Sequence, residues 1–165
     1  MHCFSAALLT DAFEQRKVVI ANIPGAFLSA NWPIDAPECH IWFEGTMVDM
    51  LCQLKPEYKK IIQHTNIKGG GMNKVLVGKV TKAIYGTLLE AVLFYNKLKG
   101  VLTNLGFKMN DYNEFTFNKM INGKQCTIQF HVDDLKLSHL EQDELDKIID
   151  HLNGIFDSDK ELIAT

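Results

Sequence analysis

Asp133 and Asp134 stand side by side in IQFHVDDLKLSH, residues 128–139, where the neighbours alternate as they do along a strand. Two carboxylates this close repel one another unless a cation neutralises them, so the chemistry open to the pair is to hold Mg²⁺. On the dipeptide alone an acidic turn in water is the better reading, because Asp is common in turns. A tight turn at Val132 and Asp133, between a strand ending at His131 and one starting at Asp134, would present both carboxylates at a hairpin tip and spare the core. Other chemistry-bearing residues are less pointed. Gly69-Gly70-Gly71 is followed by no GK[ST] at the spacing of a phosphate-binding loop, and reads as a flexible hairpin end. The histidines His2, His40, His64, His131, His139 and His151 form no zinc pattern. Cys3, Cys39, Cys52 and Cys126 show no CxxC pairing and read as reduced, buried thiols.

The elements that must position these groups can be read from periodicity. Residues 4–16 predict a helix with Ala7, Leu8 and Ala12 near one face, running into KVVIANI, a β-branched stretch that predicts a buried strand stopped by Pro24 and Gly25. The middle of the chain is mixed: a loop at Pro33–Pro37, a short strand near His40–Phe43, a helical turn near Met47–Leu54 and a strand at KVLVGKV. Thr87 with Glu90 forms a capping box and Gly106 a stop, predicting a helix over 87–105 whose core face is Leu88, Val92, Tyr95, Leu98, Leu102 and Leu105. EFTFNKMI and KQCTIQFH flank Asn122-Gly123, which predicts a two-residue type I′ hairpin. A last helix over 141–156 carries Leu145, Ile148, Ile149, Leu152, Ile155 and Phe156.

Length and charge set bounds. A chain of 165 residues suits one domain, and a net charge of −3 offers no global basic field for nucleic acid. Lys55, Lys59, Lys60, Lys68, Lys74, Lys79 and Lys82 make the middle the most basic part, a solvated face by default and a template-phosphate strip on the functional reading. MHCFSAALLTDAF lacks a basic leader and no apolar run approaches the roughly 20 residues of a membrane span, which predicts a soluble intracellular protein.

Three blocks, taken together, resemble the Ty1/copia-type retrotransposon reverse transcriptases. His131-Val132-Asp133-Asp134 resembles their YxDD box, with His131 in the tyrosine place. KAIYGTLLEAVLFYNKLKGVLTNLGF, residues 82–107, resembles their KALYG…WY.KL…LGF segment, and NIPGAFLSA, residues 22–30, their D…AFL box. Order and spacing agree, and the similarity covers nearly the whole chain. It implies an α+β polymerase palm: an antiparallel, ferredoxin/RRM-like sheet backed by two helices, over about 1–32 and 83–165. A partial fingers insertion would occupy about 33–82. It also implies RNA-directed DNA polymerase chemistry, in which two Mg²⁺ ions roughly 4 Å apart clamp the attacking hydroxyl and the nucleotide phosphates. The implied partners are primed RNA or DNA template, dNTPs and the integrase and RNase H of a polyprotein. The implied setting is a cytoplasmic virus-like particle or the nucleus, with no membrane.

Site residues carry over by position. Asp133 and Asp134 would be metal ligands, the Ile23 backbone carbonyl a further ligand, Phe27 the aromatic beneath the incoming sugar, and Lys160 a donor to the leaving pyrophosphate. The family needs a carboxylate at the first box, and this chain has Asn22 there. A neutral amide removes one negative charge from between two dications, which implies an impaired polymerase. The other implied outcome is a non-catalytic remnant or domesticated nucleic-acid-binding or interaction module that keeps the fold without the chemistry.

Overall fold

Alternation of side chains along residues 113–139 makes each strand two-faced, and the two-residue loops between them turn the chain back on itself. A computed structural model describes residues 2–66, 72–156 and 163–164. In chain order the regular elements are α1 (His2–Phe13), β1 (Lys17–Asn22), β2 (His40–Glu44), α2 (Thr46–Leu54), β3 (Gln63–Asn66) and β4 (Met72–Lys79). They continue with α3 (Glu90–Asn104), β5 (Lys108–Asn110), β6 (Asn113–Ile121), β7 (Lys124–His131), β8 (Asp134–His139), α4 (Gln142–Phe156) and β9 (Ile163–Ala164). Short 3₁₀ turns cover Ala26–Ser29 and Pro56–Ile61. The fold is α+β with antiparallel sheets. No helix among the described residues is long and apolar enough to cross a membrane.

The chain falls into two compact units, residues 1–31 with 82–165 and residues 32–81. The first holds a six-stranded sheet in the order β5-β6-β7-β8-β1-β9. Its β6–β7 hairpin turns at Asn122 and Gly123, with Ile121 opposite Lys124 and φ of 51° and 72° at the two loop residues. Positive φ at both is the type I′ signature that Asn-Gly favours, because its twist matches that of the strands. One sheet face carries Val19, Ala21, Ile128, Phe130, Leu135 and Leu137, which form a single cluster with Phe94, Leu98 and Leu102 of α3 and Leu145, Leu152 and Phe156 of α4.

Three expectations for these elements need correction. The third helix starts at Glu90, because the Thr87 hydroxyl donates to the Ile84 carbonyl at 2.9 Å and only the Glu90 carboxylate completes its half of the capping box, accepting from the Thr87 amide at 3.2 Å. Leu88 therefore lies outside the helix, fully exposed, and Val92 is also exposed, while Phe94 joins Leu98 and Leu102 at four-residue spacing to define the buried stripe. Strand β1 is buried on one face only, leaving Val18 and Ile20 exposed.

The largest difference concerns α1. Leu8, Leu9 and Phe13 are exposed, and among the helix side chains whose burial is described the buried one is Asp11. The reason is the second sheet face, which across β6, β7 and β8 is polar yet covered: Thr116, Gln129 and Lys136 align there, and all three are buried. An apolar helix face would find no partner there. Asp11 instead forms an ion pair with Lys136, and Arg16 donates to Thr127 Oγ1 at 3.1 Å.

The second unit is smaller. Its sheet runs β2-β4-β3, and Val48 and Cys52, four residues apart on α2, pack with Leu76, Phe43, Tyr58 and Ile62. Lys74 pairs with Asp49 at 2.9 Å, Lys79 with Glu38 and Lys55 with Glu57 at 3.8 Å, so this basic stretch is partly neutralised by its own acids.

Candidate active-site hairpin

Strands β7 and β8 are joined by two residues, Val132 and Asp133, with His131 directly opposite Asp134. The carboxylates thus sit at a tip, Asp133 half-buried and Asp134 exposed. Val132 takes φ of 57°, a left-handed conformation that a β-branched residue enters only under strain. The pairing explains it: a two-residue loop needs positive φ to match the strand twist, and no glycine is present to supply it. Val132→Gly should stabilise the protein by up to about 1 kcal/mol, the strain relieved less the extra chain entropy of glycine. A lower denaturation midpoint for the variant would show that the Val132 side chain contributes more than its backbone costs.

Strand β1 lies antiparallel to β8 and brings Asn22 opposite Asp134. Asn22 Nδ2 donates to Asp134 Oδ1 at 3.1 Å, joining residues 112 positions apart in sequence. A carboxylate can only accept, so the amide must turn its N–H₂ end toward it. Next along the chain, the Ile23 amide donates to the Asp133 carbonyl at 2.9 Å. Pro24 and Gly25, the latter with φ of 65°, then make a type II turn whose closing bond runs from the Ala26 amide to the Ile23 carbonyl at 3.2 Å. Ile23 is 1% exposed. Its carbonyl is thereby engaged in the turn, not presented to solvent.

Two dications need more than two carboxylates. Asp133 and Asp134 supply two, and at the third position Asn22 supplies a donor that already satisfies Asp134 without a cation. Among the described residues no group of three or more His, Cys, Asp and Glu side chains is placed to hold a metal ion. The residues present do not fit a two-Mg²⁺ centre.

Phe27 is a core residue, 3% exposed, with its ring edge-on to Tyr85 at 4.5 Å and Phe94 at 5.9 Å between centroids. Behind the turn lies an apolar cavity of about 190 Å³, lined by Phe27, Phe94, Tyr95, Phe115, Phe130 and Val132 among others. Tyr85 is the residue near the carboxylates that sequence reasoning missed. Although Tyr85 is exposed, desolvation by its neighbours pushes its phenol above the ordinary range, and the Asp133 and Glu90 carboxylates push it the same way. Its place in the KAIYG segment was the available signal.

Lys160 and Gly69-Gly70-Gly71 lie outside the described residues, as does Lys68. Cys39 is half-buried, Cys52 buried, and Cys126 fully buried, where desolvation pushes its thiol up to about 12. Near pH 8 an alkylating reagent should therefore modify Cys39 and leave Cys126 untouched until the protein unfolds. Mass spectrometry of the adducts, with and without denaturant, checks this, and rapid labelling of Cys126 in the native protein would contradict it.

No family model, curated protein or solved structure matches this chain.

Proposed function

We propose that the first unit is a reverse transcriptase palm of the Ty1/copia type, an RNA-directed DNA polymerase domain whose metal centre is reduced and whose activity in this copy is impaired. The observation that carries the reading is the juxtaposition across β1 and β8. Asn22 and the Asp133-Asp134 pair belong to separate blocks of the resemblance, yet Asn22 and Asp134 are hydrogen-bonded neighbours at one end of the sheet. A palm requires the first-box residue and the hairpin carboxylates to meet there. The α+β sheet with helices on its apolar face supports the same reading.

The unfitted third position favours the second reading, a non-catalytic remnant or domesticated nucleic-acid-binding or interaction module. Template, dNTPs and the polyprotein partners belong to the proposal through the family resemblance. No catalytic step is assigned to this chain, because with Asn22 in place the carboxylate pair lacks the charge to organise one.

Single-nucleotide incorporation on a primed template separates the two. Wild type should show little or no extension in Mg²⁺. Asn22→Asp should gain about a hundredfold, equivalent to about 2.7 kcal/mol of transition-state stabilisation. Adding Asp133→Ala should abolish the gain. Equal incorporation by wild type and Asn22→Asp would overturn the impairment. Absence of any gain, together with no Mn²⁺-induced broadening at residues 133 and 134 of the Asn22→Asp variant, would overturn the polymerase origin of the site.

A further inference from the structure

The start of α3 and the β6–β7 hairpin do not close completely on one another. Tyr95, Phe115 and Phe130 meet as three rings with centroids 5.7 to 6.0 Å apart. Beside them lies the apolar cavity of about 190 Å³ behind the carboxylate turn. A second hollow of about 270 Å³ shares Ala91, Tyr95 and Phe115 as walls and is completed by the exposed Val92 and Glu114. The side chains lining the inner cavity are apolar apart from Tyr95 and His131, and the Tyr95 hydroxyl already donates to the Glu114 carbonyl at 3.4 Å. Water is held in a cavity by about two to four polar partners, so it is a poor occupant here and an apolar ring a good one.

The rim carries charge of one sign. Glu114 lines the outer hollow, Glu90 precedes Ala91 and Asp133 follows Val132. These carboxylates act on the nearby rings: after desolvation, Glu114 raises the Tyr95 phenol, as Asp133 and Glu90 raise that of Tyr85, whose ring lies 4.5 Å from Phe27. Among the described residues Glu90, Glu114 and Asp133 form no ion pair, and Lys99, 5.8 Å over the Tyr95 ring, pairs with none of them. We propose that this cavity binds a small arylalkylammonium, with its ring beside Phe115 and Phe130 and its ammonium at the rim toward Glu114. Size is adequate: about 150 Å³ admits benzene, so about 190 Å³ takes a phenyl ring with its first methylene. Tyr95 and Phe115 offer ring contacts to the aryl group and a π-face to the cation. The carboxylates repel an anion and do nothing for a neutral ring, so charge completes the selection. The proposal rests neither on the polymerase reading nor on a metal at the hairpin.

The test is an NMR titration of the full chain with benzylamine, protonated at neutral pH, followed at the Val132 methyl groups and the Phe115 ring. Benzyl alcohol and benzoate are its neutral and anionic counterparts of similar size. Benzylamine should shift both sets of signals saturably and bind about fivefold more tightly than benzyl alcohol, with benzoate weaker still, and added salt should narrow the difference. Ala91→Leu, at an exposed helical position where leucine costs little, fills the entrance and should weaken benzylamine about tenfold at a melting temperature near that of wild type. Glu114→Gln, also exposed, should weaken benzylamine about threefold and leave benzyl alcohol unchanged, and it decides the matter if Ala91→Leu does not fold. No saturable response to benzylamine, benzyl alcohol or benzoate binding as tightly as benzylamine, or wild-type affinity in a folded Ala91→Leu would each overturn the proposal.

Discussion

Asn22→Asp lowers the stability of the protein in EDTA and makes that stability depend on divalent cation. The substitution removes the hydrogen bond from Asn22 Nδ2 to Asp134 Oδ1 and sets a carboxylate directly opposite another, with Asp133 adjacent in the turn. A bond to a charged acceptor contributes about 1.5–3 kcal/mol when shielded from water. This one is exposed, so the loss together with the new repulsion is placed at about 1–2 kcal/mol, or several degrees of melting temperature. Mg²⁺ or Mn²⁺ at millimolar concentration should return the deficit, since an ion that binds only the folded state stabilises it by mass action. Wild type should melt at nearly the same temperature with and without the ion. Thermal melts of both proteins in EDTA and in a Mg²⁺ series check this. A wild type as Mg²⁺-responsive as the variant would mean that Asn22 does not stand in for a cation. A variant that melts with wild type in EDTA would mean that the amide bond contributes nothing.

Asp11→Ala costs about 3–5 kcal/mol, more than any substitution at the hairpin, because it leaves the Lys136 ammonium buried without its carboxylate. The pair itself need not be stabilising. Two charges taken from water lose hydration that their mutual attraction repays only in part, so Asp11→Leu with Lys136→Met should return to within about 1–2 kcal/mol of wild type. Urea denaturation of Asp11→Leu, Lys136→Met and the double variant forms a closed cycle that isolates the coupling. If Asp11→Ala loses less than about 1 kcal/mol, α1 does not hold its position against the polar sheet face in solution. If the double variant is as unstable as the singles, the damage comes from packing and not from an orphaned charge.

What could be read in advance divides along a physical line. The Asn122-Gly123 hairpin and the turn at Val132 and Asp133 were legible because each is decided within four residues, by which side chains tolerate positive φ and where alternation breaks. The last helix was legible for a similar reason, its stripe of Leu145, Ile148, Ile149, Leu152 and Phe156 being dense enough to leave one packing face, with only Ile155 partly exposed. The start of α3 was not. Thr87 can cap a helix or bond back to Ile84, and the choice depends on the chain upstream. Strands β3 and β5 were missed, since four and three residues carry too little periodicity to register.

The candidate site shows the same division. Sequence alone determined that two carboxylates would share a hairpin tip and that position 22 carries an amide, because residue identity and short-range turn chemistry suffice for both. Only the tertiary structure decided that Asn22 bonds to Asp134, that Phe27 faces the core and that α1 covers a polar sheet face with Asp11 against Lys136. Each of these is a contact between segments far apart in the chain. Its energy depends on register and on which face is covered, quantities that no local window of residues contains.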